Sequence, residues 1–337
     1  MKHRQMVSRL LPLLLVLIFV LTGCTGQENL STLLPKGDAA EWQYFMIKYT
    51  FYVMLIVVVV VTVLFLYALK FRAKPGDNSI PKQVEGNTKL EILWTVTPFL
   101  LILSIAVPLV RTELALAEIP EDAMKVKVTA HQFWWEFEYP DHGIVTSQDL
   151  VIPVGEKVSF ELTSKDVIHA FWVPALGGKM DTNPDNVNYM WLKADEPGVY
   201  QGRCTELCGA SHALMDFKVK AVPKEEFEQW VEKMKQPNPE PTDAIAQQGQ
   251  QIFNQSCVAC HAVEGTMKSV GPNLKGFADK STVAGYLEMK EEDILKWLKN
   301  PKEVKPQNTM PSPMQDLKLT EDQLKALSKY LMTLKLE

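Results

Sequence analysis

Within twelve residues the chain sets two thiols, an imidazole and a thioether: Cys204, Cys208, His212 and Met215, in Cys204-Thr205-Glu206-Leu207-Cys208-Gly209-Ala210-Ser211-His212-Ala213-Leu214-Met215. Soft sulfur donors beside imidazole suit copper cycling between its lower oxidation states, whereas methionine is a poor zinc ligand and zinc moves no electrons. A further imidazole is offered by His169, in Val167-Ile168-His169-Ala170-Phe171-Trp172-Val173-Pro174. A structural zinc site and a Cys204–Cys208 disulfide are the other uses such residues have.

A second constellation, Cys257-Val258-Ala259-Cys260-His261, is C-x-x-C-H. Its two thiols can form thioethers to haem vinyl groups while the next residue ligates the iron. A thioredoxin-like pair or half of a zinc site would use the same letters, but no βαβ pattern and no second cysteine pair lie nearby. The chain has five cysteines, an odd count that does not suit a pure disulfide framework.

These clusters need elements to hold them. Valines 126 and 128, the aromatic run Phe133 to Tyr139, the alternation Val158, Phe160, Leu162, and Phe217, Val219, Ala221 predict short strands separated by turn-rich segments, hence a β-sandwich around the first cluster. In a strand-rich domain His169 can fold back beside the cysteine loop. A helix with Phe227 and Trp230 follows, then Gln236-Pro237-Asn238-Pro239-Glu240-Pro241, read as an extended, semi-rigid linker. Residues 243–337 are predicted helical, with Thr242 or Asp243 as first cap and a Thr320/Gln323 capping box opening a last helix that carries Leu324, Leu327 and Leu331.

The N-terminal third is different. Lys2, Arg4 and Arg9 precede an apolar run from Leu10 to Leu21 that ends Leu21-Thr22-Gly23-Cys24, an export signal. The run is shorter than the ~20 apolar residues of a span, which weighs against a first transmembrane helix. Phe51–Leu69 and Ile92–Val110 are membrane spans by length and composition, the second tolerating Pro98 and Pro108. The intervening Lys70, Arg72, Lys74, Lys82 and Lys89, against Asp77 and Glu85, place that loop in the cytoplasm and everything after Arg111 outside. Residues 1–111 carry 11 Lys and Arg against 6 acidic residues, and the remainder 24 against 34. An acidic outer portion excludes a nucleic-acid binder and suits either a solvated surface or a basic protein partner.

The pattern C-x-E-x-C-G-x-x-H-x-x-M, with the earlier V-x-H-x-F, resembles subunit II of haem-copper cytochrome c oxidases over residues 40–235. The resemblance implies a cupredoxin-like domain with a binuclear copper centre. Cys204 and Cys208 would bridge both coppers, His169 and His212 bind one each, Met215 bind weakly, and the Glu206 carbonyl complete the set. It also implies that the Glu206 side chain faces a Mg²⁺ or Mn²⁺ site at the boundary with the catalytic subunit, although taken alone Glu206 reads as a surface carboxylate. Glu91 matches a carboxylate at the mouth of a proton path in some relatives, although an acid in a first helical turn needs no more than the helix dipole. In Ala130-His131-Gln132-Phe133-Trp134 the family's usual tryptophan after His-Gln is Phe133, so either Trp134 substitutes or electrons enter by another route, with Phe133 and Trp134 as the entry candidates; core aromatics on alternating strand faces would look the same. Leu21 to Cys24 resembles the lipoprotein box, with Cys24 lipid-modified.

The C-terminal part resembles a small class I cytochrome c, from Gly249 and Phe253 through Gly271-Pro272-Asn273-Leu274 to Met310-Pro311. The Pro272 carbonyl would orient His261 and Met310 would be the sixth ligand, with Met314 and Met267 as competitors. The expected multidomain order is a signal peptide (1–23), an N-terminal segment with a two-helix transmembrane hairpin (24–111), an all-β cupredoxin-like copper domain (112–235), a linker (236–242) and an all-α cytochrome c domain (243–337). The whole implies the electron-transfer subunit of a proton-pumping oxidase in a bacterial membrane. It would take electrons from cytochrome c or a small donor through haem and then copper to subunit I, amid other oxidase subunits. A nitric oxide reductase subunit is the alternative. A quinol oxidase subunit would lack the copper ligands, and a free lipoprotein carrier would not need two spans.

Overall fold

The computed structural model describes residues 27–71 and 85–337. The signal segment, Cys24 and most of the basic loop, from Arg72 to Lys82, lie outside the described residues.

Helices α1 (Asp38–Phe71) and α2 (Thr88–Ala117) contain the two apolar stretches. At 1.5 Å per residue, about 30 Å of hydrocarbon needs only ~20 residues, so 34 and 30 residues leave turns to spare at the ends. Pro98 and Pro108 both sit inside α2. Asn87 caps it, its side chain accepting from the amides of Lys89 and Leu90. Glu91 lies in the first turn, where a carboxylate meets the positive end of the helix dipole.

The β-sandwich is built from ten strands: β1 (Met124–His131), β2 (Trp134–Tyr139), β3 (Ile144–Ser147), β4 (Asp149–Pro153), β5 (Val158–Ser164), β6 (His169–Trp172), β7 (Lys179–Thr182), β8 (Asn188–Leu192), β9 (Gly198–Cys204) and β10 (Asp216–Val222). They form two sheets, β3-β2-β1-β5-β8 and β4-β10-β9-β6-β7. The β1–β5 and β4–β10 pairs are parallel and the others antiparallel. Alternation decides which side chains go in: in β2, Trp135, Phe137 and Tyr139 are fully buried while Trp134, Glu136 and Glu138 are not. Trp135 and Phe137 from one sheet meet Phe217 from the other at centroid distances of 5.2 and 5.9 Å, and Phe160 meets Phe171 at 5.4 Å. This aromatic layer fixes the sheet spacing under the cysteine loop. Helix α3 (Lys224–Lys235) follows, burying Phe227, Val231 and Met234.

The C-terminal region is helical: α4 (Ala244–Ser256), α5 (Glu291–Lys299), the short α6 (Pro301–Val304) and α7 (Glu321–Leu331), with a two-residue hairpin, β11 (Thr282–Val283) and β12 (Leu287–Glu288). Asp243 caps α4, accepting from the Ala246 amide, and the Thr320/Gln323 capping box opens α7. Helices α4 and α7 approach closely because residue 249 is glycine: a Cβ there would lie 2.0 Å from the Ala326 carbonyl oxygen.

The proline-rich segment is not a free tether. The buried Lys275 donates to the Gln236 carbonyl (2.8 Å) and to Asn238 (2.9 Å), and Asn238 donates to the Val263 carbonyl (2.6 Å). Among the described residues, the sandwich and the helical region form one compact unit with residues 27–40, while the two apolar helices cluster separately. Across the seam, Ser147 donates to the Asn273 carbonyl (2.9 Å), Lys280 to the Ser147 carbonyl (2.8 Å), and the Ser281 amide and hydroxyl to Asp149 (2.8 and 2.9 Å).

Candidate metal centre and haem cavity

His169 opens β6, Cys204 closes β9 and Cys208 lies in the loop beyond, so neighbouring strands deliver the donors to one end of the sandwich. The ligating atoms of His169, Cys204 and Cys208 lie within 4.8 Å of one another, and all three residues are buried. The two sulfurs are 3.9 Å apart. His169 Nδ1 is 3.9 Å from the Cys204 sulfur, and His212 Nδ1 is 3.6 Å from that of Cys208. Met215 Sδ is 3.8 Å from the Cys208 sulfur, and the Glu206 carbonyl oxygen is 3.4 Å from that of Cys204. The geometry thus gathers every donor of the first cluster. Such a set of thiols, imidazoles and a thioether fits copper.

Protonation follows the packing. The Cys204 thiol is held well below its ordinary range by its hydrogen bond with Cys208, against the opposing effect of burial and with help from His169. Cys208 is pushed up by the same bond and by burial. The two thiols therefore titrate as a pair, and the first thiolate formed is stabilised by the hydrogen bond from the thiol that remains. Burial works against a charge on His169, but its hydrogen bonds to Asp166 and Cys204 outweigh it and raise its pKa.

Three residues around this cluster were not singled out by sequence. Asp166 accepts from His169 Nε2 at 2.8 Å, which turns Nδ1 toward the sulfurs, and also from the Gln132 amide at 2.7 Å. A carboxylate three residues before a candidate histidine is the signal that would have found it. Trp135 lies under His169 in an edge contact at 6.1 Å. Gln132 Nε2 donates to the Cys208 carbonyl at 2.5 Å, a contact between positions 76 apart that no local pattern reveals.

Phe133 is buried, whereas Trp134 is half-buried and stacks on His131 at 4.1 Å. Burial pushes the His131 pKa down to about 4.

At the second constellation, Cys257, Cys260, His261 and Met310 line one cavity of about 360 Å³ whose wall is mostly apolar and includes Phe253, Leu298 and Leu331. His261 Nδ1 donates to the Pro272 carbonyl at 2.8 Å, leaving Nε2 as the ligating atom, and burial lowers its pKa, which keeps the ring neutral. Residue 271 must be small here, since a Cβ would lie 2.9 Å from His261 Cε1. Of the three methionines weighed, only Met310 lines the cavity, while Met267 is half exposed and Met314 packs on the helical core. Two thiols, an oriented neutral imidazole and a thioether around an apolar cavity fit a covalently held haem.

Fold and sites together define a class: a two-centre redox protein anchored by two apolar helices. The profile described as "Cytochrome C oxidase subunit II, transmembrane domain" matches residues 36–111, "Cytochrome C oxidase subunit II, periplasmic domain" matches 143–222, and "Cytochrome c" matches 246–335. "Cytochrome c oxidase subunit 2" of Alkalihalophilus pseudofirmus is 47% identical, covering 99% of each chain, and that of Bacillus sp. (strain PS3) is 48% identical, covering 98% of each. "Quinol oxidase subunit 2" of Bacillus cereus is 36% identical over 71% of this chain and 83% of its own. The chain belongs to the cytochrome c oxidase subunit II family, as the member of an oxidoreductase complex that carries copper A and cytochrome c domains.

Proposed function

We propose that this chain is the electron-input subunit of a proton-pumping cytochrome c oxidase, taking electrons from a cytochrome c at the haem domain and delivering them from the copper domain to the oxygen-reducing subunit I. The observation that carries the reading is a shared wall: Gln132 and Phe133 of the sandwich line the haem cavity, and Gln132 is bonded to the Cys208 carbonyl. When bound, binuclear copper and haem c each supply reversible one-electron chemistry. Cys204, Cys208, His169, His212, Met215 and the Glu206 carbonyl would hold the coppers, the two thiolates supplying the negative charge. Cys257 and Cys260 would attach the haem, and His261 and Met310 would ligate its iron, a His/Met pair that would raise its potential.

Within this reading the Glu206 side chain faces a Mg²⁺ site at the subunit boundary, Cys24 is the lipid-modified N-terminus of the mature chain, and Glu91 stands at a proton path. Phe133 gives the copper domain a buried aromatic face toward a permanently attached donor, in place of an exposed tryptophan for a diffusing one.

The test is reduction of the purified complex by flash photolysis, with metals and haem counted per chain. Two coppers and one haem that resists acid acetone, with haem reduced before copper, are expected. Copper reduced first overturns the order, and fewer than two coppers overturns the ligand assignment.

A further inference from the structure

Met310 and Cys208 belong to different domains, yet an unbroken run of bonds and hydrogen bonds joins them. The Met310 amide donates to the Asn308 side chain (3.0 Å), whose Nδ2 donates to the Lys305 carbonyl (2.6 Å). Lys305 Nζ reaches across the seam to the Phe133 carbonyl (2.9 Å). Phe133 is covalently joined to Gln132, which bonds through its side chain to the Cys208 carbonyl and through its amide to Asp166, the partner of His169. Two further contacts fasten the same loops: Ser211, fully buried, donates to the Pro306 carbonyl (2.7 Å), and the Ala210 amide donates to the Gln307 side chain (3.0 Å).

Lys305 is the costly member of this run. It is 3% exposed, no carboxylate among the described residues lies within 4.0 Å of its ammonium, and its one hydrogen bond goes to a backbone carbonyl. Burying an ammonium on such terms is expensive, and a leucine or methionine would fill the same space without that expense. A donor that spans the seam is what the ammonium adds.

We propose that Gln132 and Lys305 are positioning residues for electron exchange between the haem and copper sites, locking the Met310 loop and the Cys208 loop in register and replacing a through-space gap between domains with bonded contacts. The proposal rests on the reading that both sites are loaded and exchange electrons. Tunnelling falls off more steeply through space than through bonds, so breaking either contact slows exchange in both directions while leaving the metal ligands untouched.

The test uses the purified oxidase complex carrying Gln132→Leu or Lys305→Met, read by flash-induced electron exchange between haem and copper, by the midpoint potential of each centre, and by hydrogen–deuterium exchange of residues 208–212 and 305–310. Exchange rates lower by about tenfold or more are expected in both variants. Midpoint potentials and metal content should match the parent, with faster deuterium uptake in the two loops of Lys305→Met. Rates within about twofold of the parent, with both centres loaded, overturn the proposal. If Lys305→Met fails to assemble, Gln132→Leu decides alone, because Gln132 lies in the other domain. Copper reduced before haem in the parent defeats the order of flow given above, not the relay, since the exchange rate still reads the coupling.

Discussion

The two sites were built by opposite means. In the sandwich, donors from β6, β9 and the loop beyond already touch one another, and Asp166 and Trp135 hold His169 in place. In the helical domain the residues that would hold the haem are spread around a cavity of about 360 Å³, and only His261 has its orientation fixed, by Pro272. Phe253, Ile294, Leu298, Leu327 and Leu331 line that cavity and are also the domain's core. A small site rests on a scaffold that is complete without it, whereas a large one is part of its domain's own packing. Cofactor loading should therefore matter little to the fold of the first region and a great deal to the second.

The largest expected effect breaks that comparison most directly. Replacing both Cys257 and Cys260 with serine removes covalent attachment, and residues 243–337 should then lose most of their deuterium-exchange protection while the sandwich keeps its protection and its copper. Protection retained throughout the helical domain would show that its core stands without the macrocycle.

An intermediate effect concerns the seam. Burial pushes the Lys305 pKa down to about 7, against the opposing pull of Asp216 and Cys208. In the metal-free, haem-free chain the folded state then binds fewer protons than the unfolded state between about pH 7 and pH 10.5. The cost of the buried ammonium is fully present below about pH 7 and is relieved as pH rises through that window. Relative to Lys305→Met, the parent should gain stability over this range, on the order of a few kcal/mol, measured as the difference between their denaturation midpoints. A parallel pH dependence in parent and variant would assign the slope to other groups.

The smallest effect sharpens the account of the sulfur cluster. Asp166→Asn keeps the shape but no longer supports the His169 tautomer that presents Nδ1, so copper affinity should fall by roughly 10- to 100-fold with folding unaffected. Competition with a copper chelator reads this, and unchanged affinity would leave Trp135 packing as the sufficient restraint.

How far the sequence carried the reading varied with the kind of contact. The sandwich strands, the capping box at Thr320 and the donors of both clusters were legible because each is a local pattern: alternation in β2, a side chain answering an amide three residues away, ligands at short spacing. The fold class drawn from those patterns agrees with the structure and with the family matches. The seam was not legible, since Lys305 meets Phe133 from 172 positions away and Ser147 meets Asn273 from 126, with ordinary polar residues and no periodicity. Nor was the pinning of the proline-rich segment, because composition specifies stiffness and says nothing of a lysine 39 residues on.

That last contact changes how the haem domain would have to be cut for transplantation. With Lys275 anchored on Gln236 and Asn238, the segment behaves as the first piece of the helical domain rather than as a spacer in front of it. A graft beginning at Asp243 would strip a buried ammonium of both its acceptors, whereas one beginning at Gln236 carries its own lining. A chimaera made at the second boundary should express as a soluble cytochrome, and one made at the first should precipitate or shed its cofactor.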